Sequence, residues 1–124
     1  MVVLLEDRPG ANRVWQLVRD AEQKSTPLLV SVVNLGEVFY LSWMRGNEEI
    51  ARKAVSYLSQ LPIQVLPVDE PQALKAGEIR ALHHVPYVDC LAAALSSIHG
   101  ATLVTSDNDF EKLGRHFPIL WLER

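Results

Sequence analysis

Short, uniformly apolar segments alternating with longer amphipathic ones leave this chain few folds to choose from. Residues 27–33, 63–68, 101–105 and 119–122 carry no charged side chain, and residues 27–33 are interrupted only by Ser31. A strand wetted on one face alternates apolar with polar residues, whereas a strand buried on both faces reads as a continuous apolar run. Between these runs the apolar residues recur at helical spacing. Val14, Leu17, Val18 and Ala21 mark a helix over residues 12–24. Asn34 is expected to cap the next helix, with Glu37 three residues on, Val38, Leu41 and Met44 on its apolar face and Gly46 at its end. Asn47 opens a further helix in which Ile50, Ala54, Tyr57 and Leu58 share one side. Asp69-Glu70-Pro71 begins one that runs to Leu82, and Pro86 begins one over residues 87–99 closed by Gly100. Helices alternating with fully apolar strands predict an α/β fold: a doubly wound, mostly parallel sheet flanked by helices on both faces.

The 124 residues suit a single domain large enough to bury a core without cross-links. A net charge of −3 and a pI of about 5.8 argue against a protein held to nucleic acid by bulk positive charge, but not against one that grips phosphates through cations. Cys90 is the one cysteine, so no intrachain disulfide can form, which suits a reducing compartment. No stretch is long and apolar enough to span a membrane, and Glu6, Asp7 and Arg8 follow the initial Met-Val-Val-Leu-Leu too soon for a signal peptide. The expected location is the cytoplasm.

In a sheet of this kind the functional crevice lies beyond the carboxyl ends of the strands. Glu37 follows the run at residues 27–33, Asp107 and Asp109 follow the run at 101–105, and Asp89 lies one turn into the helix leading to that run. Carboxylates gathered at such a place repel one another, and a cation relieves the repulsion; oxygen-only ligands select Mg²⁺ or Mn²⁺. Each acid also has a plainer role. Asn34 with Glu37 fits a capping box, and Asp89 would interact favourably with its helix dipole. However, the apolar neighbours Val88, Cys90, Leu91 and Ala92 place Asp89 beside a buried face, where an unpaired carboxylate is costly. Residues 105–110 also read as an Asx-rich turn in which Asp107 caps a short helix at residues 110–114.

The ordered set is more specific than any of its parts, and it resembles the PIN-domain family, most closely the ribonuclease toxins of VapBC-type toxin–antitoxin pairs. The resemblance rests on Val30-Ser31-Val32-Val33-Asn34-Leu35-Gly36-Glu37-Val38, on Pro86-Tyr87-Val88-Asp89-Cys90-Leu91-Ala92, on Leu103-Val104-Thr105-Ser106-Asp107-Asn108-Asp109-Phe110, and on the closing Pro118-Ile119-Leu120-Trp121-Leu122. It implies that Glu37, Asp89 and Asp107 are metal-site acids and Asp109 a more peripheral one. Thr105 and Ser106 would contact phosphate or position a carboxylate. The implied chemistry is Mg²⁺- or Mn²⁺-dependent hydrolysis of RNA phosphodiesters by a protein silenced by an antitoxin. Family members commonly pair as homodimers, and the helices over residues 34–45 and 47–61, with Tyr40 and Trp43, are the expected interface.

The sequence departs from the family at its beginning. Members start with a central strand ending in an Asp, followed by an apolar helix, whereas residues 1–10 here match that helix. The expectation is therefore a sheet lacking its first strand and first acid, and a natural start upstream of Met1. The alternative function is then a catalytically impaired module of the same fold that acts by binding protein or RNA. A phosphate-accepting signalling domain is a third possibility, but Leu66-Pro67-Val68 and Leu120-Trp121-Leu122 supply neither its acceptor Asp nor its Lys. Other conspicuous residues read as structural: His83-His84 as a solvated helix end, Cys90 as a small buried hydrophobe, Trp15, Trp43 and Trp121 as core or interface anchors, and Arg45, Arg52, Lys53 and Arg80 as scattered solvated charge.

Overall fold

A computed structural model describes residues 2–3, 11–105, 108–114 and 117–121. In chain order the elements are β1 (Val2–Val3), α1 (Ala11–Lys24), β2 (Leu28–Ser31), α2 (Val32–Arg45), α3 (Glu48–Leu58), β3 (Ile63–Leu66), α4 (Glu70–His83), α5 (Tyr87–His99), β4 (Leu103–Thr105), a 3₁₀ turn (Asn108–Leu113) and β5 (Ile119–Trp121). The strands form one parallel sheet in the order β3-β2-β1-β4-β5. Each parallel step needs a crossover, and α1, the α2–α3 pair, the α4–α5 pair and the 3₁₀ turn supply them. The α/β class and the parallel sheet are as the apolar runs predicted.

Both faces of the sheet are covered, and the pleat shows how. Leu28, Ile63, Val104 and Leu120 turn to one side and pack with Leu17, Val18 and Ala21 of α1. Their strand neighbours Leu29, Leu66, Leu103 and Ile119 turn to the other and pack with Ala76 and Ile79 of α4, and with Leu91 to Leu95 of α5. Adjacent strand residues point to opposite faces, so a charge-free run supplies both cores at once. In α5 the residues from Cys90 to Ser96 are all buried. The small side chains of Ala92, Ala93 and Ala94 let this helix lie close against the sheet and α4.

The gap expected at the centre of the sheet is filled. Val2–Val3 pairs with β2 through Val2 and Leu29, and with β4 through Val2 and Leu103 and through Val3 and Val104. Two β-branched residues with strand propensity suit that slot, although they had been matched to a helix. Glu6 and Asp7, which follow this strand, lie outside the described residues.

Three further expectations are corrected. α2 begins at Val32, not at Asn34, because Ser31 Oγ accepts the Val33 N–H at 3.2 Å and caps the helix there. Val32 and Val33 favour strands, but the cap and the packing override that weak preference. Met44 is 75% exposed, so the buried side of α2 does not extend to its last turn. In α3 the fully buried residue is Ala51, and Ile50 and Tyr57 are about half exposed, which rotates the buried stripe by one position. The caps at Asn47 and Asp69 are as expected, each side chain accepting an N–H three residues on. Gly100 ends α5 in the left-handed region at φ 61°, where a residue without Cβ is favoured.

Candidate metal centre and relatives

The strand order reverses at β1, since β2 and β3 extend to one side of it and β4 and β5 to the other. A crevice opens at such a reversal beyond the carboxyl ends of the two strands involved, here β1 and β4. Helices that follow strands start at that edge, and so does a helix whose far end leads into a parallel strand. α2 follows β2 directly, α5 leads into β4, and the 3₁₀ turn follows β4. The topology thus brings Glu37 on α2, Asp89 on α5 and Asp109 on the 3₁₀ turn to the same edge of the sheet.

Their environments differ. Glu37 is half-buried in the second turn of α2, and its Oε1 accepts a 2.9 Å hydrogen bond from Asn34 Nδ2. This pair is a side-chain contact within the helix and not the capping box expected from the same two residues. Asn34 is 4% exposed, and its Oδ1 has no partner among the described residues. Asp89 is half-buried in the first turn of α5, immediately before the fully buried stretch. Burial pushes the neighbouring Cys90 thiol above its ordinary value; the Asp89 charge acts in the same direction and Arg80 partly offsets it. Asp109 is likewise half-buried, and Lys112 Nζ lies 4.0 Å from its Oδ1.

Thr105 ends β4 and is buried at 1% exposure. Phe110, with no exposed surface, anchors the following turn in the core shared by α4 and α5. Ser106 and Asp107 lie outside the described residues. Among the described residues no three metal-ligating side chains are gathered closely enough to hold an ion by themselves. Glu37, Asp89 and Asp109 therefore share an edge without closing a site among themselves. The donor chemistry still suits a hard divalent cation: every acid at this edge offers carboxylate oxygen, and Glu37 Oε2 has no partner among the described residues.

The remaining conspicuous residues fall as follows. His84 ends α4 in the left-handed conformation at φ 58°. Cys90 is buried and its Sγ donates to Val85 O at 3.2 Å. Trp121 packs against the larger core, whereas Trp15 and Trp43 are 43% and 44% exposed and meet Tyr57 and Phe39 edge-on. Arg52 lies over the Phe39 ring at 5.7 Å, so it is not simply solvated. Sequence reasoning missed the buried amide of Asn34 and the cap at Ser31. The signal for the cap was available, because Ser31 is the one polar residue in an otherwise apolar run.

A parallel, doubly covered sheet with acids at the carboxyl edge of its reversal point defines a class of α/β proteins built to act at that edge. The chain belongs to the PIN domain family, whose profile matches residues 1–116. Among solved structures it is similar to a DNA-bound VapBC from Salmonella typhimurium, with TM-score 0.69 and 19% identity over 95% of this chain and 93% of that one. It is also similar to VapBC2 from Rickettsia felis bound to a fragment of its promoter DNA, with TM-score 0.66 and 17% identity over 90% and 92% of the two chains. A toxin–antitoxin complex from Klebsiella pneumoniae matches with TM-score 0.64 and 16% identity over 98% and 97%. At these identities the shared feature is the fold. Among curated protein sequences none matches at a significant level. No helix among the described residues is long and apolar enough to cross a membrane.

Proposed function

We propose that this chain is the toxin of a toxin–antitoxin pair, a metal-dependent endoribonuclease whose 124 residues act as one domain in the cytoplasm. The observation that carries this reading is the position of Glu37 and Asp89 on a PIN fold. Both sit on helices that begin at the carboxyl edge of the sheet, beside the crevice between β1 and β4. The partner inferred from the VapBC neighbours is an antitoxin protein, and a second copy of the chain would complete a homodimer.

In this reading Glu37, Asp89 and Asp107 hold Mg²⁺ or Mn²⁺, and Asp109 supports them from the periphery. Bound there, the ion supplies an acidified water and charge stabilisation for a phosphodiester. The protein's own part is placement. The packing of α5 fixes the backbone under Asp89, and the buried end of β4 holds Thr105 at the same edge. Thr105 and Ser106 serve as contacts to phosphate or to a carboxylate. The net acidic charge limits RNA binding by the protein alone, so affinity for RNA should depend on the cation.

Calorimetric titration of Mn²⁺ into the parent and Asp89→Asn proteins tests this, together with cleavage of a mixed RNA substrate. Binding and cleavage by the parent, both lost in Asp89→Asn, support the reading. A parent that binds no metal and cleaves no RNA overturns it in favour of a catalytically silent PIN module that acts through partner binding. That outcome would accord with the absence of a three-ligand group among the described residues.

A further inference from the structure

We infer that Asn34 is a positioning residue for Glu37: its side-chain amide fixes one carboxylate oxygen so that the other faces the cation-binding edge. The inference rests on the metal-site reading given above. Its basis is an asymmetry in how the amide is used. Asn34 is 4% exposed, Nδ2 donates to Glu37 Oε1 at 2.9 Å, and Oδ1 has no partner among the described residues.

A buried asparagine kept for folding alone should have both ends of its amide satisfied, because each unpaired end carries a desolvation penalty. Here one end is orphaned while the other is committed to an acid that is itself only half-buried. Turning the amide over would not help, since Oδ1 would then face a carboxylate oxygen and repel it; Glu37 dictates the orientation. The two residues lie three apart on one helix, the spacing at which side chains meet. Asn34 stands on the helical backbone of α2 and is buried, so its side chain is a rigid base and not a flexible surface group. A glutamate has three rotatable bonds before its carboxylate, and holding one oxygen removes most of that freedom. Glu37 Oε2 is left as the oxygen with no partner among the described residues. A hydrogen-bonding neighbour that orients a ligand in this way is typically worth about 10- to 100-fold in metal affinity.

The test is Mn²⁺ calorimetry on the parent, Asn34→Leu and Ser31→Ala, with a thermal melt of each metal-free protein. Leucine has similar volume, removes the orphaned acceptor and deletes the bond to Glu37. The expected result is that Asn34→Leu melts close to the parent or above it yet binds Mn²⁺ at least about tenfold more weakly. Ser31→Ala weakens the same helix start without touching Glu37, and should lower the melting temperature while holding Mn²⁺ affinity within about threefold. Should Asn34→Leu fail to fold, Asn34→Ala makes the same comparison with a smaller, helix-favouring side chain. A parent that binds Mn²⁺ while both Asn34 variants bind it equally well overturns the inference and leaves the metal-site reading standing. So does an affinity loss in Ser31→Ala that matches the loss in Asn34→Leu, since it would show a general loosening of the helix. A parent that binds no Mn²⁺ overturns the metal-site reading, and this inference with it.

Discussion

Replacing Phe110 with alanine should be among the most damaging single changes to this fold. Phe110 is the largest fully buried side chain among the described residues, and it anchors the 3₁₀ turn after β4 in the core that holds Ala76 of α4 and the buried face of α5. Burying a phenylalanine removes roughly 150–200 Å² from water, and at about 25 cal/mol/Å² this is worth ~4 kcal/mol. Measured phenylalanine-to-alanine losses of about 3–5 kcal/mol, which include the cavity left behind, agree with that figure. Unfolding entropy of about 2.1 cal/mol/K per residue gives ~0.26 kcal/mol/K for a chain of 124 residues. A loss of about 4 kcal/mol should therefore lower the melting temperature by roughly 15 °C. A calorimetric melt of the metal-free protein reads this directly, and Phe110→Leu should recover more than half of the difference. The same turn carries Asp109, so on the proposed metal site Mn²⁺ affinity should fall as well. A drop of under about 4 °C for Phe110→Ala would refute the reasoning, because it would mean that the turn is not anchored by this ring.

Smaller effects follow from the caps and the buried thiol. Ser31→Ala removes the side chain that caps α2 and should cost about 1 kcal/mol, seen as a fall of roughly 4 °C in melting temperature. Gly100→Ala should cost about 1 kcal/mol although a Cβ there meets nothing within 4 Å, since the cost is conformational at φ +61°. Cys90 should resist alkylation at neutral pH in the folded protein and react freely in urea, as befits a buried thiol with a raised pKa. Because its folded pKa lies above the unfolded value of 9.0, its contribution is intact below pH 9 and is lost as pH rises through the folded value. Urea midpoints measured across that alkaline range should fall more steeply for the parent than for Cys90→Ala.

The elements whose signals are local were legible in the sequence. The helix α5 ran from Tyr87 to His99 with Gly100 behind it as predicted, because a proline, a small-residue face and a glycine mark its course. The caps at Asn47 and Asp69 were equally plain. Where a tertiary arrangement chose between local options, the sequence was silent or misleading. The residues Val32 and Val33 continue an apolar run, and only the Ser31 cap shows that the chain has already turned into a helix. Val2–Val3 belongs to a short apolar run that reads equally as helix or strand, and its strand identity comes from the two neighbours that flank it. At the candidate site the acids could be picked out by type and by their places after the apolar runs. The Asn34–Glu37 bond could not, because the same spacing also describes a capping box. Only the start of α2 decides between them.

The central place of β1 bears on how this sheet assembles. Among the described residues, Val2 and Val3 join the β2–β3 half to the β4–β5 half through backbone pairing. Their partners in β4 are Leu103 and Val104, about 100 residues further along the chain. During synthesis the central strand therefore leaves the ribosome long before one of its two flanks exists. Until β4 arrives, a nascent sheet of β1, β2 and β3 presents an unpaired edge, with the apolar face meant for α5 uncovered. The finished fold closes that edge late, when β4 pairs with Val2 and Val3.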